Sequence, residues 1–203
     1  DIHHGPYLKK TEALALYERL LQADTDLILL GGDYGDIPSN SIAFFRLIPP
    51  FPKEKTVVAV VGNHDIGDRG AGVLPELLEA MREKNIQPLV NECHLITKSG
   101  STLIICGPDD IRCGQPDFAS LIAASSAADF VLFLPHSPDL IPDAFAAGNA
   151  GRIISRIYQE GFRIVGHEGA GAGGFEILPH MRVEVAPRDN IDVEELTGLE
   201  KAH

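Results

Sequence analysis

Four apolar runs in this sequence stop at the same kind of residue. "LILLGG" is followed by Asp33, "VVAVVG" by Asn63 and His64, "FVLFLP" by His136 and "FRIVG" by His167. Short continuous apolar runs closed by glycine or proline are the pattern of strands buried on both faces, as in parallel and mixed sheets. In open α/β sheets ligands bind in the crevice beyond the carboxyl ends of the strands, so these side chains would converge there from distant parts of the chain. A turn or a helix cap accounts for each of them singly. Independent turns would not select carboxylate, amide and imidazole at every one of these strand ends. The types are those of metal ligands, and Asp1 and His3 of the opening "DIHHG" join them if that segment also lies at a strand end.

The segments between these runs complete an alternating α/β pattern. In "TEALALYERLLQAD" (11–24), Ala13, Leu16, Tyr17, Leu20 and Leu21 share a helical face, with Thr11 as the N-cap. Helices are also expected at about 74–84, near 117–126 and around 151–160. "CHLITK" and "STLIICGPDD" read as a hairpin joined through Ser99 and Gly100, and strands are expected at "FEILP" and "RVEVA". With 203 residues, 44% of them hydrophobic, and no shift of composition marking a linker, one α/β domain over 1–203 is expected.

Charge narrows the partners. A formal net charge of -12 argues against duplex nucleic acid or an anionic membrane surface as the main partner, and a bound cation would offset part of it. Cys93, Cys106 and Cys113 form no CxxC pair and leave one thiol over in any pairing, so they read as reduced core or bystander thiols. No stretch approaches the length of a spanning helix and no signal peptide precedes Asp1. The expected location is cytoplasmic, with peripheral membrane association left open.

"DIH" at 1–3, "GGDYGD" at 31–36, "GNHD" at 62–65, "PHSPD" at 135–139 and "GHEG" at 166–169 together resemble the successive motifs of the calcineurin-like metallophosphoesterases. Within that superfamily, "NECHLITKSGSTLIICGPDD" and "LPHSPDL" look most like the bacterial phosphodiesterase branch that includes the UDP-2,3-diacylglucosamine hydrolases. The resemblance implies a four-layer α/β sandwich, two mixed sheets flanked by helices, with a dinuclear metal site at the strand ends. On that pattern Asp1, His3 and Asp33 hold one metal, while Asp33, Asn63, His136 and His167 hold the second. The mixed oxygen and nitrogen ligands suit Mn, with Fe and Zn as alternatives, better than Mg. The implied reaction is hydrolysis of a phosphodiester or pyrophosphate by water activated between two divalent cations. His64 is the expected catalytic group, stabilising charge or protonating the leaving oxygen, and Asp65 is expected to orient its ring. The expected substrate is a small-molecule or lipid-linked phosphoester.

Two departures from the family pattern set up an alternative. The family's last motif reads Gly-His-x-His, and here Gly169 stands in the second histidine's place, which weakens the first metal site unless Glu168 or His4 substitutes. The family's first strand, which precedes the Asp-x-His, is missing before Asp1, and its loss is expected to expose sheet edges. A chain so altered could instead be a binding scaffold with an incomplete metal site. Tyr34, Phe44, Phe45 and Phe51 could form a lipid-facing lip, although Phe44, Leu47 and Ile48 recur at helical spacing and read first as a core-facing helix.

Overall fold

The computed structural model describes residues 1–67, 72–125, 128 and 130–146, together with the strand backbones at 152–157, 161–165, 175–176 and 182–185; side chains are described as far as Ala144. Along the chain the elements are α1 (Lys10–Gln22), β1 (Leu27–Leu30), α2 (Pro38–Leu47), β2 (Thr56–Val60), α3 (Asn63–Ile66), α4 (Leu74–Arg82), β3 (Gln87–Leu89), β4 (Glu92–Lys98), β5 (Ser101–Gly107), α5 (Phe118–Ser125), β6 (Phe130–Phe133), α6 (Ile141–Ala146), β7 (Arg152–Ile157), β8 (Gly161–Val165), β9 (Phe175–Glu176) and β10 (Arg182–Val185).

The strands form two mixed sheets, ordered β3-β2-β1-β10-β9 and β4-β5-β6-β7-β8. In the first, β3, β2, β1 and β10 are parallel and β9 is antiparallel to β10. In the second, β5, β6 and β7 are parallel and the outer strands β4 and β8 are antiparallel. β1 lies between β2 and β10, so it is not the exposed edge expected from a missing neighbour.

Strand alternation explains why the apolar runs are continuous. Leu27 and Leu29 of β1, with Val58 and Val60 of β2, meet Leu103, Ile105 and Leu132 of the second sheet. The alternate residues Ile28, Leu30, Val57 and Ala59 face the other way, into a cluster with Tyr17 of α1, Phe44 and Phe45 of α2 and Leu77 of α4. Ile104, Cys106 and Phe133 leave the second sheet on its far side to pack with Leu121 of α5 and Ala144 of α6. Both faces of β1, β2 and β5 are therefore apolar, and the layers run helix, sheet, sheet, helix. This is the expected four-layer sandwich. Tyr34, Phe44, Phe45 and Phe51 are all buried in the core, which rules out the lipid-facing lip.

Three local expectations are corrected. α1 begins at Lys10, with Lys9 as N-cap in place of Thr11, because Glu12 reaches back to accept the Lys9 backbone N–H at 2.7 Å. The helix expected around 151–160 is replaced by β7, which pairs antiparallel with β8. Ile153, Ile154 and Ile157 are β-branched, and the two strands supply each other with the backbone partners that a helix would have found within itself. The cysteines are not three bystander thiols: Cys93 and Cys106 are cross-strand partners of β4 and β5, and their sulfurs are bonded, which leaves Cys113 free.

Candidate metal centre

The site grows from the C-terminal ends of β1, β2 and β6. Beyond β1 the backbone turns through Gly32 (φ 93°) and Asp33 (φ 56°). The left-handed conformation is costly for most side chains but tolerated by Asp, and here it swings the carboxylate back over the strand ends. Beyond β2, Gly62 leads directly into α3, and beyond β6 a short extended segment delivers His136. The opening segment is laid along the β1 loop by main-chain bonds. Ile2 and His3 N–H donate to the Asp33 carbonyl at 2.8 and 3.0 Å, and His4 N–H donates to that of Tyr34 at 2.8 Å. Asp1 and His3 thus reach the site through pairing with the loop that carries Asp33.

Two ligand groups meet at one carboxylate. His3, Asp33 and His64 offer ligand atoms within 4.8 Å of one another, and so do Asp1, Asp33 and His136. His3 Nε2 lies 3.5 Å from Asp1 Oδ2 and 3.8 Å from Asp33 Oδ2, while His136 Nε2 lies 3.4 Å from Asp33 Oδ2. The short His3–Asp1 and His3–Asp33 distances suit the expected trio of Asp1, His3 and Asp33, and His136 stands at the same carboxylate. Asn63 sits beside His64 as the first residue of α3. His167, Glu168 and Gly169 lie outside the described residues. His4 Nδ1 lies 3.0 Å from the Leu8 carbonyl, and neither ligand group includes His4.

The chemistry of the donor atoms fits a cation. His136 Nδ1 is 2.8 Å from the Gly31 carbonyl, which can only accept, so Nδ1 carries a proton and Nε2 is the nitrogen turned toward Asp33. A metal-ligating histidine characteristically donates its other ring N–H to a carbonyl or carboxylate in this way. His64 repeats the arrangement, with Nδ1 2.8 Å from the Asp36 carbonyl. His136 Nε2 and His3 Nδ1 are buried atoms without a hydrogen-bond partner. Such orphaned nitrogens are costly unless something else satisfies them, and a cation at Asp33 would satisfy His136 Nε2.

Asp33 and His136 are almost fully buried, at 1% and 3% exposure. Burial opposes the Asp33 charge, but the neighbouring His136 and the His64 backbone N–H, 3.0 Å from Oδ1, outweigh it and lower the carboxyl below its ordinary range. Burial alone would depress the His136 imidazole; the adjacent Asp33 carboxylate overcomes this and holds it up to about 9. A cation entering here competes with that proton for the same electron pair.

Asp65 does not orient His64, contrary to expectation. Successive residues of a helical turn point about 100° apart, so His64 faces the site and Asp65 faces inward. The Asp65 carboxylate accepts from Asp33 N–H (2.7 Å), Tyr34 N–H (2.8 Å), Gly62 N–H (2.8 Å) and the Ser41 hydroxyl (2.7 Å). It is a clamp between the loops that follow β1 and β2. Full burial, followed by the charge of Asp33, pushes its pKa up to about 6 even against these donors. Asp36, whose carbonyl holds His64, is the positioning residue that the sequence reading missed. A backbone contact leaves no residue-type signal from which it could have been read.

Gly62 marks how closely the backbone approaches the ligands. A Cβ on it would collide with Asp33 Oδ1 and come within 2.7 Å of His136 Cε1 and Nε2. Its backbone (φ −111°) is open to any residue, so the conflict is purely with the ligand side chains. Gly62→Ala is expected to displace Asp33 or His136 and lower metal content by at least half. Elemental analysis beside a denaturation midpoint checks this, and a variant with full metal content would show that the ligands lie elsewhere.

Residues 1–169 match the calcineurin-like phosphoesterase family. The uncharacterized metallophosphoesterase YkuE of Bacillus subtilis is 27% identical over 150 residues, which cover 68% of this chain and 49% of YkuE. A stretch of 25 residues, 12% of this chain, is 76% identical to part of the nucleoside diphosphate kinase of Desulfotalea psychrophila and covers 18% of it. The chain therefore spans about half or less of these relatives. The NAD nucleotidase NadN of Haemophilus influenzae aligns structurally with 65% of this chain and 29% of its own, at 15% identity and a TM-score of 0.45. With the family matched over most of its length, from Asp1 through the strand ends that carry Asp33, His64 and His136, this chain belongs to the calcineurin-like phosphoesterase family.

Proposed function

We propose that this chain hydrolyses small-molecule phosphoesters with the help of two divalent cations that share Asp33. The observation that carries the reading is the meeting of two ligand groups at one buried carboxylate. Asp1, His3 and His136 bring ligand atoms close to Asp33, and Asn63 and His167 complete the proposed set. When bound, such cations act as Lewis acids, lower the pKa of a coordinated water and hold the phosphoryl oxygens during in-line displacement. Mixed carboxylate and imidazole donors favour Mn, with Fe and Zn next.

The protein's own groups do the rest. Asp33 and its neighbours gather negative charge where cations are to sit, and Asp65 fixes the Asp33 backbone so that the carboxylate is preorganised. His64 Nδ1 is tied to the Asp36 carbonyl, which leaves Nε2 as the nitrogen that would carry a proton to the departing oxygen. A nucleotide-linked substrate like that of the UDP-2,3-diacylglucosamine hydrolases is a narrower proposal and rests on the sequence likeness alone. Among the described residues no helix is long and apolar enough to cross a membrane.

The test uses the full chain with added Mn on phosphomonoesters, phosphodiesters and nucleotide-linked pyrophosphates, with metal counted beside the rate. The parent protein is expected to turn over at least one class, and His64→Ala to cut turnover by a factor on the order of 10² to 10⁴ at unchanged metal content. Loss of a cation in His64→Ala would make His64 a ligand, as its grouping with His3 and Asp33 also allows. A parent protein that binds no metal and hydrolyses nothing would favour the scaffold alternative.

A further inference from the structure

A groove of about 880 Å³ opens beside His3 and His64 and runs along α1. Its helical wall is Glu12, Ala15, Leu16 and Arg19, spaced i, i+3, i+4 and i+7. The opposite face of the same helix buries Ala13, Tyr17 and Leu20 in the core, so core packing fixes which side chains the helix presents to the groove. Arg19 is the one guanidinium or ammonium side chain among the residues that line it. Among the described residues no hydrogen bond or ion pair engages that guanidinium. Glu12 stands seven residues away, roughly 10 Å along the axis, and its Oε2 is occupied by the Lys9 N–H. The Asp36 carboxylate is held by Asn40. In a chain of net charge -12, an arginine with no such partner, lining the same groove as His3 and His64, is a specific placement.

We propose that Arg19 selects substrates whose leaving group carries a second oxyanion, a phosphate or a carboxylate, separated from the reacting phosphoryl group by a short carbon framework. This rests on the phosphoester reading above and adds the substrate's second charge to it. The planar guanidinium fork matches the oxygens of either anion in bidentate fashion. Between the two charged ends the groove offers carbon surface: Ala15 and Leu16 on the helix, and Tyr7, a residue 77% exposed whose ring centroid lies 6.0 Å from that of His3.

Calorimetric titration of the Mn-loaded protein at fixed ionic strength tests this without turnover. The probes are an alkyl phosphonate, an ω-phosphonocarboxylate and an α,ω-bisphosphonate, in a series of about three to six carbons that spans the length of the groove. The two-anion probes are expected to bind about tenfold or more tightly than the alkyl phosphonate, and the carboxylate and bisphosphonate arms tell which second anion is preferred. Arg19→Ala should abolish the difference, and Arg19→Lys should keep part of it, since charge is retained and the fork is lost. Equal affinities in the parent protein, or a preference that survives Arg19→Ala, overturns the proposal. Binding of none of the three overturns the phosphoester reading, and this inference with it.

Discussion

Asp33→Asn is expected to take both of the proposed cations from the protein and to lower turnover by roughly four orders of magnitude, equivalent to about 5–6 kcal/mol of lost transition-state stabilisation. Asp33 is the one residue common to both ligand groups, so its charge cannot be removed from one site alone. Asn is the informative replacement because it tolerates the left-handed backbone at φ 56° and keeps an oxygen to accept the His64 N–H. Ala would add backbone strain to the loss of charge and confuse the two. Metal content, rate and denaturation midpoint should be measured together. An Asn variant that keeps two tight cations would show that Asp33 does not bridge them.

The second large effect falls on stability. Asp65→Ala leaves the Asp33, Tyr34 and Gly62 N–H groups and the Ser41 hydroxyl without their acceptor in a site where Asp65 itself is 0% exposed. Each buried donor left unpaired costs about 1–3 kcal/mol, partly offset by no longer burying a carboxylate, so a loss of about 3–5 kcal/mol is expected. Ser41→Ala removes one of these donors and should cost about 1 kcal/mol. Urea denaturation of metal-stripped protein isolates this term, because bound cations would add stability of their own. A loss under about 1 kcal/mol for Asp65→Ala would mean that the two loops hold together without the clamp.

What could be read ahead of the structure followed from chain periodicity. The runs at 27–30, 57–60 and 103–106 are apolar at every position because each strand feeds two clusters, the inter-sheet core on one side and a helical layer on the other. That Asp33, His64 and His136 come together was legible because a polar, ligand-type residue at a strand end is a coincidence of residue and position, and both are visible in the sequence. Long-range register and side-chain direction were not. The bond between Cys93 and Cys106 depends on the exact pairing of β4 with β5, which places them opposite each other. Residues 152–157 carry isoleucines at spacings that suit a helix, and only pairing with β8 resolves them as a strand. The role of Asp65 turns on rotation within a single helical turn: the same "GNHD" could have aimed either His64 or Asp65 at the metal centre, and three of the donors that fill the Asp65 carboxylate are backbone N–H groups that any residue would carry, while Asp36 acts through its backbone carbonyl.

The central claim is that two cations flank Asp33. The most direct test is anomalous diffraction from crystals of the Mn-loaded protein, recorded at the Mn absorption edge. Two peaks about 3.5–4 Å apart, both within reach of the Asp33 carboxylate and one of them within reach of His136, are the predicted result. A single peak, or two peaks of which either lies out of reach of Asp33, would contradict the account.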